Sequence, residues 1–412
     1  MSKTKSYMIT IFFLAFTGCL IYAVSAGIRA NYGLMLSAIS ENSGISYSSV
    51  SFVLAVAQLM FGITQPIFGI VALKKSNPFV LVLGALMIVT GLLMIPLCKT
   101  VWQLLIFLGI LLPSGTGALS FGIIMGAITP VLGERKAATV SGFVSASSGL
   151  GNIVLSPILQ GIISSSGLWG AMIFLSVPTL IILPVTLLMA KSTGKAMTAS
   201  DQPSEKGESM LAMFSETLSN KSYQFILIGF FTCGFHMAII ETHLFTQITT
   251  YGFSEQIAAY AFSIYGIATV LGSVVSGVLG SKYKMKWVLG SLYGARTVII
   301  LLFFLLPKTI LVTYTFISLL GFTGSSTVPP TAGLISRLFG ATKLAVLLGF
   351  AFIFHQSGSF FSACLGGVSV SATGGYTLIW SASAVLSVLA AAVSFSIKEG
   401  IPHYGLGSQS ST

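Results

Sequence analysis

The sequence predicts an all-α polytopic membrane protein, with twelve transmembrane helices in two pseudo-symmetric six-helix bundles. Three observations carry that expectation. Only 7% of the 412 residues are charged and 54% are hydrophobic, with a mean hydropathy of +0.95; a soluble domain carries roughly 25% charged residues. Apolar runs of about 20 residues, the length that crosses a bilayer, recur along the whole chain. The two halves of the chain also resemble each other at an offset of 207 residues.

In order, the runs place spans near 7–37, 48–72, 78–98, 102–131, 136–164 and 168–190, then near 223–250, 256–280, 287–306, 310–338, 343–367 and 374–397. The polar stretch 191–222, with Lys191, Asp201, Glu205, Lys206 and Glu216, reads as a linker. The expected organisation is an N-terminal bundle over 1–190, a cytoplasmic linker over 191–222, a C-terminal bundle over 223–398 and a cytoplasmic tail over 399–412. At the repeat offset Gly126, Lys136, Gly142, Phe143 and Gly151 match Gly333, Lys343, Gly349, Phe350 and Gly358. Arg29 then corresponds to His236, and Ser148 to His355. Two parallel six-helix repeats suit a transporter with its site between them.

The net charge of +11 is chiefly a topology signal. Sixteen of the twenty Lys and Arg, from Lys3 to Lys398, fall on the membrane face that holds both termini, whereas Lys99 and Lys308 fall on the other. The positive-inside rule puts the first face in the cytoplasm, which predicts a multi-pass protein of the plasma membrane with both termini inside. Its basic face suits an anionic lipid leaflet, and no nucleic-acid partner is expected. Cys19, Cys98, Cys233 and Cys364 lie in apolar stretches without metal spacing and read as small hydrophobes. No HExxH, GxSxG with triad partners or Walker lysine occurs, so neither an enzyme nor a cofactor is expected.

Once the loop charges are set aside, the spans retain Arg29, Arg296, Glu241 and the histidines His236, His243 and His355. An ionisable group at a helix centre costs about 2.5–3.5 kcal/mol by insertion scales, so each needs a partner or a wet cavity. One acid does not neutralise two arginines, and an anionic substrate supplies the missing charge. Arg29 suits carboxylate capture because guanidinium binds carboxylate bidentately; the plainer reading is an arginine snorkelling to the interface. Thr232, His236, His243, Gln247 and Thr250 share one face of the seventh helix by periodicity, with Glu241 about 140° from His236 around the axis, toward helix eight or eleven. His236 and His355 lie twelve or thirteen residues from their cytoplasmic ends, about 18–20 Å deep. An imidazole, with an ordinary pKa of about 6.5, takes or gives a proton near neutrality; the alternative is a neutral histidine bonding between helices. Arg296, in the middle of the ninth helix, either points inward between helices eight and ten or pairs with Glu241, and a structural ion pair is the preferred expectation. Asn152 and Gln356 are binding candidates because apolar helices rarely bury an amide without a hydrogen-bond role. Pro329 and Pro330 are expected to kink the tenth helix.

Several motifs extend this reading: CGFH at 233–236, THL at 242–244, STVPPT at 326–331, HQSGSF at 355–360, Leu365-Gly366-Gly367 and Thr373-Gly374-Gly375-Tyr376 with Trp380. On these residues the chain resembles the major facilitator superfamily, and its second half resembles the bacterial monocarboxylate-porter-like branch related to the oxalate/formate exchangers. The resemblance implies a rocker-switch carrier with a central cavity lined by helices one, two, four, five, seven, eight, ten and eleven. Ile28-Arg29-Ala30 stands where eukaryotic monocarboxylate transporters carry a functional lysine. Two departures stand out. The family's Gly-x-x-x-Asp-Arg-x-Gly loop lacks its acid here, both after Gly69 and after Gly277; and Gly266 to Gly277 offers Thr269 and Ser273 where related carriers place an arginine.

The function expected is secondary active transport of small organic anions, monocarboxylates in the first place, with protons or by exchange, by a monomer. Arg29, His236, His355, Asn152 and Gln356 would bind substrate and Glu241, His236 and His243 would carry protons. The alternative is export of amphiphilic or drug-like compounds, which a cavity lined by aromatics, with Arg29 facing lipid, would favour.

Overall fold

The computed structural model describes residues 2–132, 134–193, 217–339 and 341–399. They form twelve long helices. α1 runs Ser2–Ala30 and resumes as Tyr32–Ser43; α2 is Tyr47–Lys74 and α3 Asn77–Met94. α4 is composite: Val101–Leu104, a π-helical segment Leu105–Leu111, Leu112–Ala118 and Phe121–Leu132. α5 and α6 occupy 134–166 and 168–193, separated at Gly167. The second half holds α7 Lys221–Thr250, α8 Glu255–Lys282, α9 Met285–Leu305, α10 Ile310–Gly324 continuing through Ser325–Thr327 to Val328–Phe339, α11 Ala341–Thr373 and α12 Thr377–Phe395.

Among the described residues eleven apolar stretches are long enough to cross a membrane, one of them 143–187. At 1.5 Å per residue its 45 residues would span about 68 Å, over twice a hydrocarbon core. Gly167, at φ +64, folds it into two spans. Gly374, 207 residues on, makes the equivalent turn before α12 at φ +69. Only glycine enters this left-handed region without a Cβ clash. Hydroxyl and amide caps start the helices between turns: Ser46, Ser76, Thr100, Asn220, Ser254 and Thr309 each accept a bond from the first-turn backbone. Apolar side chains on the outer surface stay uncovered, as at Leu305 (82% exposed) and Trp102 (75%), which is the surface a helix bundle presents to lipid. The four cysteines are free thiols.

The repeat is visible in packing. A Cβ on Gly27 would lie 3.0 Å from Gly151 Cα, where α1 crosses α5. The same crossing of α7 and α11 rests on Gly234 and Gly358, whose Cβ atoms would collide with His355 O and Phe231 O. Helix association in lipid depends on such close backbone approach. Gly234→Ala is therefore expected to cost at least about 1–3 kcal/mol of stability, read as a lowered unfolding temperature in detergent. Gly277→Ala, where nothing lies within 4 Å, is its neutral control.

Two breaks matter for the site. α1 is interrupted at Asn31, whose Nδ2 donates to Gly27 O at 2.7 Å. α10 breaks at Gly324, and Pro329 and Pro330 fall in the first turn of its next segment, where a missing N–H costs least. The prolines thus open a segment rather than bend a continuous one.

At the face where α1 starts and α12 ends, here the terminal face, Glu399 Oε1 accepts from Lys286 N at 2.6 Å and Oε2 from Arg337 Nη1 at 2.9 Å. Lys284 offers no side-chain cap to α9, so this carboxylate supplies one from beyond α12. It ties α9, α10 and α12 together beside the Gly277 loop that has no acid of its own. Of the expected linker 191–222 and tail 399–412, residues 194–216 and 400–412 lie outside the described residues.

Candidate functional site

The polar contacts that join the halves run from mid-membrane to the far face, opposite the termini. Arg29 ends the first segment of α1, just before the Asn31 break. Beyond the break Gly33 meets α7 so closely that a Cβ would stand 2.8 Å from Glu241 O. This approach brings Arg29 Nη1 to 3.2 Å from Glu241 Oε2, an ion pair between the halves. Gln58 of α2 bridges it: Oε1 accepts from Arg29 at 3.4 Å, and Nε2 donates to Glu241 Oε2 at 3.2 Å. The guanidinium lies 4.5 Å from the Phe61 ring centroid. The Glu241 side chain is 6% exposed and that of Arg29 20%, so the arginine is the partner open to a ligand.

The network continues into α11. Gln356 Nε2 donates to Gln58 O at 2.9 Å, and its Oε1 accepts from His355 Nδ1 at 2.8 Å and from Ser359 Oγ at 3.4 Å. His355 is half-buried against Phe230, with ring centroids 5.0 Å apart. Arg29, Glu241, Gln58, Gln356 and His355 thus form one connected set across the interface.

The other sequence candidates lie elsewhere. His236 is buried between α7 and α12, its Nδ1 2.7 Å from Thr232 O and its Nε2 3.1 Å from Ser383 O. A neutral imidazole donates only one of these bonds; an imidazolium donates both. His243 donates from Nε2 to Ala363 O at 2.9 Å and accepts at Nδ1 from Tyr47 Oη at 2.9 Å. Tyr376 Oη completes the cluster 3.1 Å from Tyr47 Oη. His243 therefore belongs to a far-face clasp between the halves. Gln247 accepts from Trp380 Nε1 at 2.8 Å. The polar stripe of α7 thus faces mainly α11 and α12 of its own half, His243 alone of these three also reaching Tyr47 across the interface, and Glu241, off that stripe, faces the other half. The expected orientation of Glu241 toward helix eight or eleven is corrected by its contacts with Arg29 and Gln58. The Asn152 side chain lies outside the described ones.

Arg296 does not pair with Glu241, and that expectation is also corrected: Arg29 holds the carboxylate. Arg296 is 1% exposed, and its Nη2 donates to the carbonyls of Thr323 and Gly324 freed by the α10 break. Gln58, Tyr47 and Phe61 were not flagged by the sequence; for Gln58 the signal was present, an amide in an apolar helix, as at Gln356.

The far-face clasp also includes Ser37 and Thr246, whose hydroxyl oxygens are 3.2 Å apart, and Glu255, which accepts from Gln160 at 2.6 Å. Cysteines at 37 and 246, in a background without the four native ones, are expected to form a disulfide that stops transport until reduced. Gel mobility and uptake read both effects, and a cross-linked protein transporting at full rate would contradict the clasp.

Residues 18–363 and 248–403 match the family model of the Major Facilitator Superfamily. The chain is similar to an uncharacterised MFS-type transporter, YcxA, of Bacillus subtilis, 24% identical with 84% of this chain and 85% of the relative covered. It is similar to monocarboxylate transporter 13 of Rattus norvegicus at 22% identity, covering 88% and 82%, and to monocarboxylate transporter 12 of Homo sapiens at 23%, covering 80% and 69%.

Proposed function

The chain belongs to the Major Facilitator Superfamily, and from that premise we propose that it carries small organic anions, monocarboxylates in the first place, coupled to protons or by exchange. The observation that carries this reading is the Arg29–Glu241 ion pair between the halves. A substrate carboxylate and Glu241 compete for one guanidinium. Protonating Glu241 removes the competitor and frees Arg29 for the substrate, so an anion and a proton enter together. Both charges are then neutralised before the halves move, which lowers the cost of carrying them through a low-dielectric region. Gln58 bonds both members of the pair and stays with either after they part. His355 and Gln356, at the other end of the network, offer the second oxygen or hydroxyl of a small acid a hydrogen bond. The two relatives named as monocarboxylate transporters support the substrate class.

The basic residues of the terminal face support a plasma-membrane protein with both termini cytoplasmic, so the clasped far face is extracellular. Arg29 placed against Glu241, Gln58 and Phe61 rather than lipid argues against the amphiphile exporter. Purified protein in proteoliposomes tests the function: lactate is expected to accumulate under an inward proton gradient and to collapse with a protonophore. An absence of uptake and of exchange for lactate, pyruvate, formate and oxalate would refute it.

A further inference from the structure

Arg296 stands apart from the pair above. It lies eleven residues into α9, about 16 Å along the helix, and is the largest fully buried side chain among the described residues. One nitrogen, Nη2, caps the carbonyls of Thr323 and Gly324 at the end of the first α10 segment, a place where a helix favours a cation. Nε and Nη1 have no acceptor among the described residues, and the ring of Tyr293 lies 5.3 Å from the guanidinium carbon. Carbonyl dipoles and a ring quadrupole offset only part of a full charge, and a buried ion without a counter-charge costs several kcal/mol. Glu241, the carboxylate within α7, is held by Arg29.

We propose that Arg296 binds a small monovalent anion, a halide ion or the carboxylate of a small acid, at the break in α10. The donors for it meet there. Cys233 Sγ and Thr327 Oγ1 lie 3.0 Å apart, and each contacts Gly324 O, the carbonyl that Arg296 also reaches. Thiol and hydroxyl hydrogens rotate, so both turn to an anion seated beside the guanidinium. Its size is bounded by burial: the side chains around the break, Thr327, Tyr293 and Cys233 among them, are 0–1% exposed, so an ion or a carboxylate head is the most such a site would admit, and a large amphiphile is excluded. A groove lined by Ser276, Gly277, Met285, Pro329 and Pro330 opens toward the terminal face. Its Ser276 donates to Ser326 O, next to Thr327, so the wall of the groove is joined to the break. An anion here neutralises the C-terminal half independently of Arg29, and neither site requires the other.

Thermal unfolding of the purified full chain tests this, in isethionate, chloride or acetate at matched ionic strength. Chloride probes the halide and acetate the carboxylate. In Arg29→Met, which lacks the carboxylate site between the halves, a gain of about 3 °C is expected in at least one of the two over isethionate, and Arg29→Met/Arg296→Met is expected to gain nothing. Arg29→Met/Thr327→Val, which keeps the Arg296 charge, is expected to need more anion for the same gain and serves where the Arg296 variant does not fold. In the Arg29→Met background, no gain in either anion, an equal gain on adding Arg296→Met, or an unchanged anion requirement on adding Thr327→Val would overturn the proposal and leave Arg296 as a helix cap alone.

Discussion

Arg29→Gln is expected to reduce carboxylate transport about 100-fold or more at saturating proton gradient. A hydrogen bond to a charged group contributes about 1.5–3 kcal/mol, which corresponds to about 13-fold to 160-fold in affinity. A guanidinium that holds a carboxylate with two such bonds lies at the upper end. The substitution also leaves Glu241, 6% exposed, without its cation, so lowered thermal stability accompanies the transport defect. The double variant Arg29→Gln/Glu241→Gln separates the two effects. Neutralising both partners is expected to restore stability and leave transport absent, a non-additivity that residues in direct contact show. Arg29→Lys keeps the charge but not the planar fork, and an intermediate loss is expected. Full activity of Arg29→Gln on a monocarboxylate would remove the residue from the site.

Glu241→Gln has a different signature. The amide imitates the protonated acid, so Arg29 is released without a proton. Proteoliposomes carrying this variant are expected to exchange internal for external carboxylate at close to the wild-type rate. Accumulation driven by a proton gradient is expected to fall to near unity, because no proton is taken up with the anion. Loss of exchange together with accumulation would mean that the carboxylate is needed for binding, and retained accumulation would place the proton elsewhere. His236 and His243 are controls here: their ring nitrogens face carbonyls or Tyr47 within the packed helices. Substitutions there are expected to lower stability before they alter coupling.

The helices were legible in the sequence because a span needs only length and apolarity, both local properties. The turns at Gly167 and Gly374 fall at the divisions the sequence places between 136–164 and 168–190 and between 343–367 and 374–397, although a single glycine in a glycine-rich chain carries no local mark of its φ. The break at Asn31 was also hidden, and the first span read as one helix over 7–37. Arg29 and Glu241 were each conspicuous as charges in apolar helices. Their pairing was not, because it joins residues 212 positions apart through a close approach at Gly33. Helical periodicity found the polar stripe of α7 but not what it faces. The stripe is satisfied chiefly within its own half by Ala363, Ser383 and Trp380, with Tyr47 of the other half on His243, and the acid outside the stripe reaches Arg29 and Gln58. A period identifies a face; only packing identifies its partner.

The competition between Glu241 and substrate for Arg29 is tested most directly by the pH dependence of carboxylate affinity, measured by calorimetry on the purified wild type and on Glu241→Gln. With one proton bound per anion, wild-type affinity is expected to strengthen about tenfold for each unit of pH lowered while Glu241 is ionised in the free protein. The Glu241→Gln curve is expected to be flat at the tight limit. A wild-type affinity independent of pH, or a variant that keeps the wild-type slope, would contradict the release of Arg29 by protonation of Glu241.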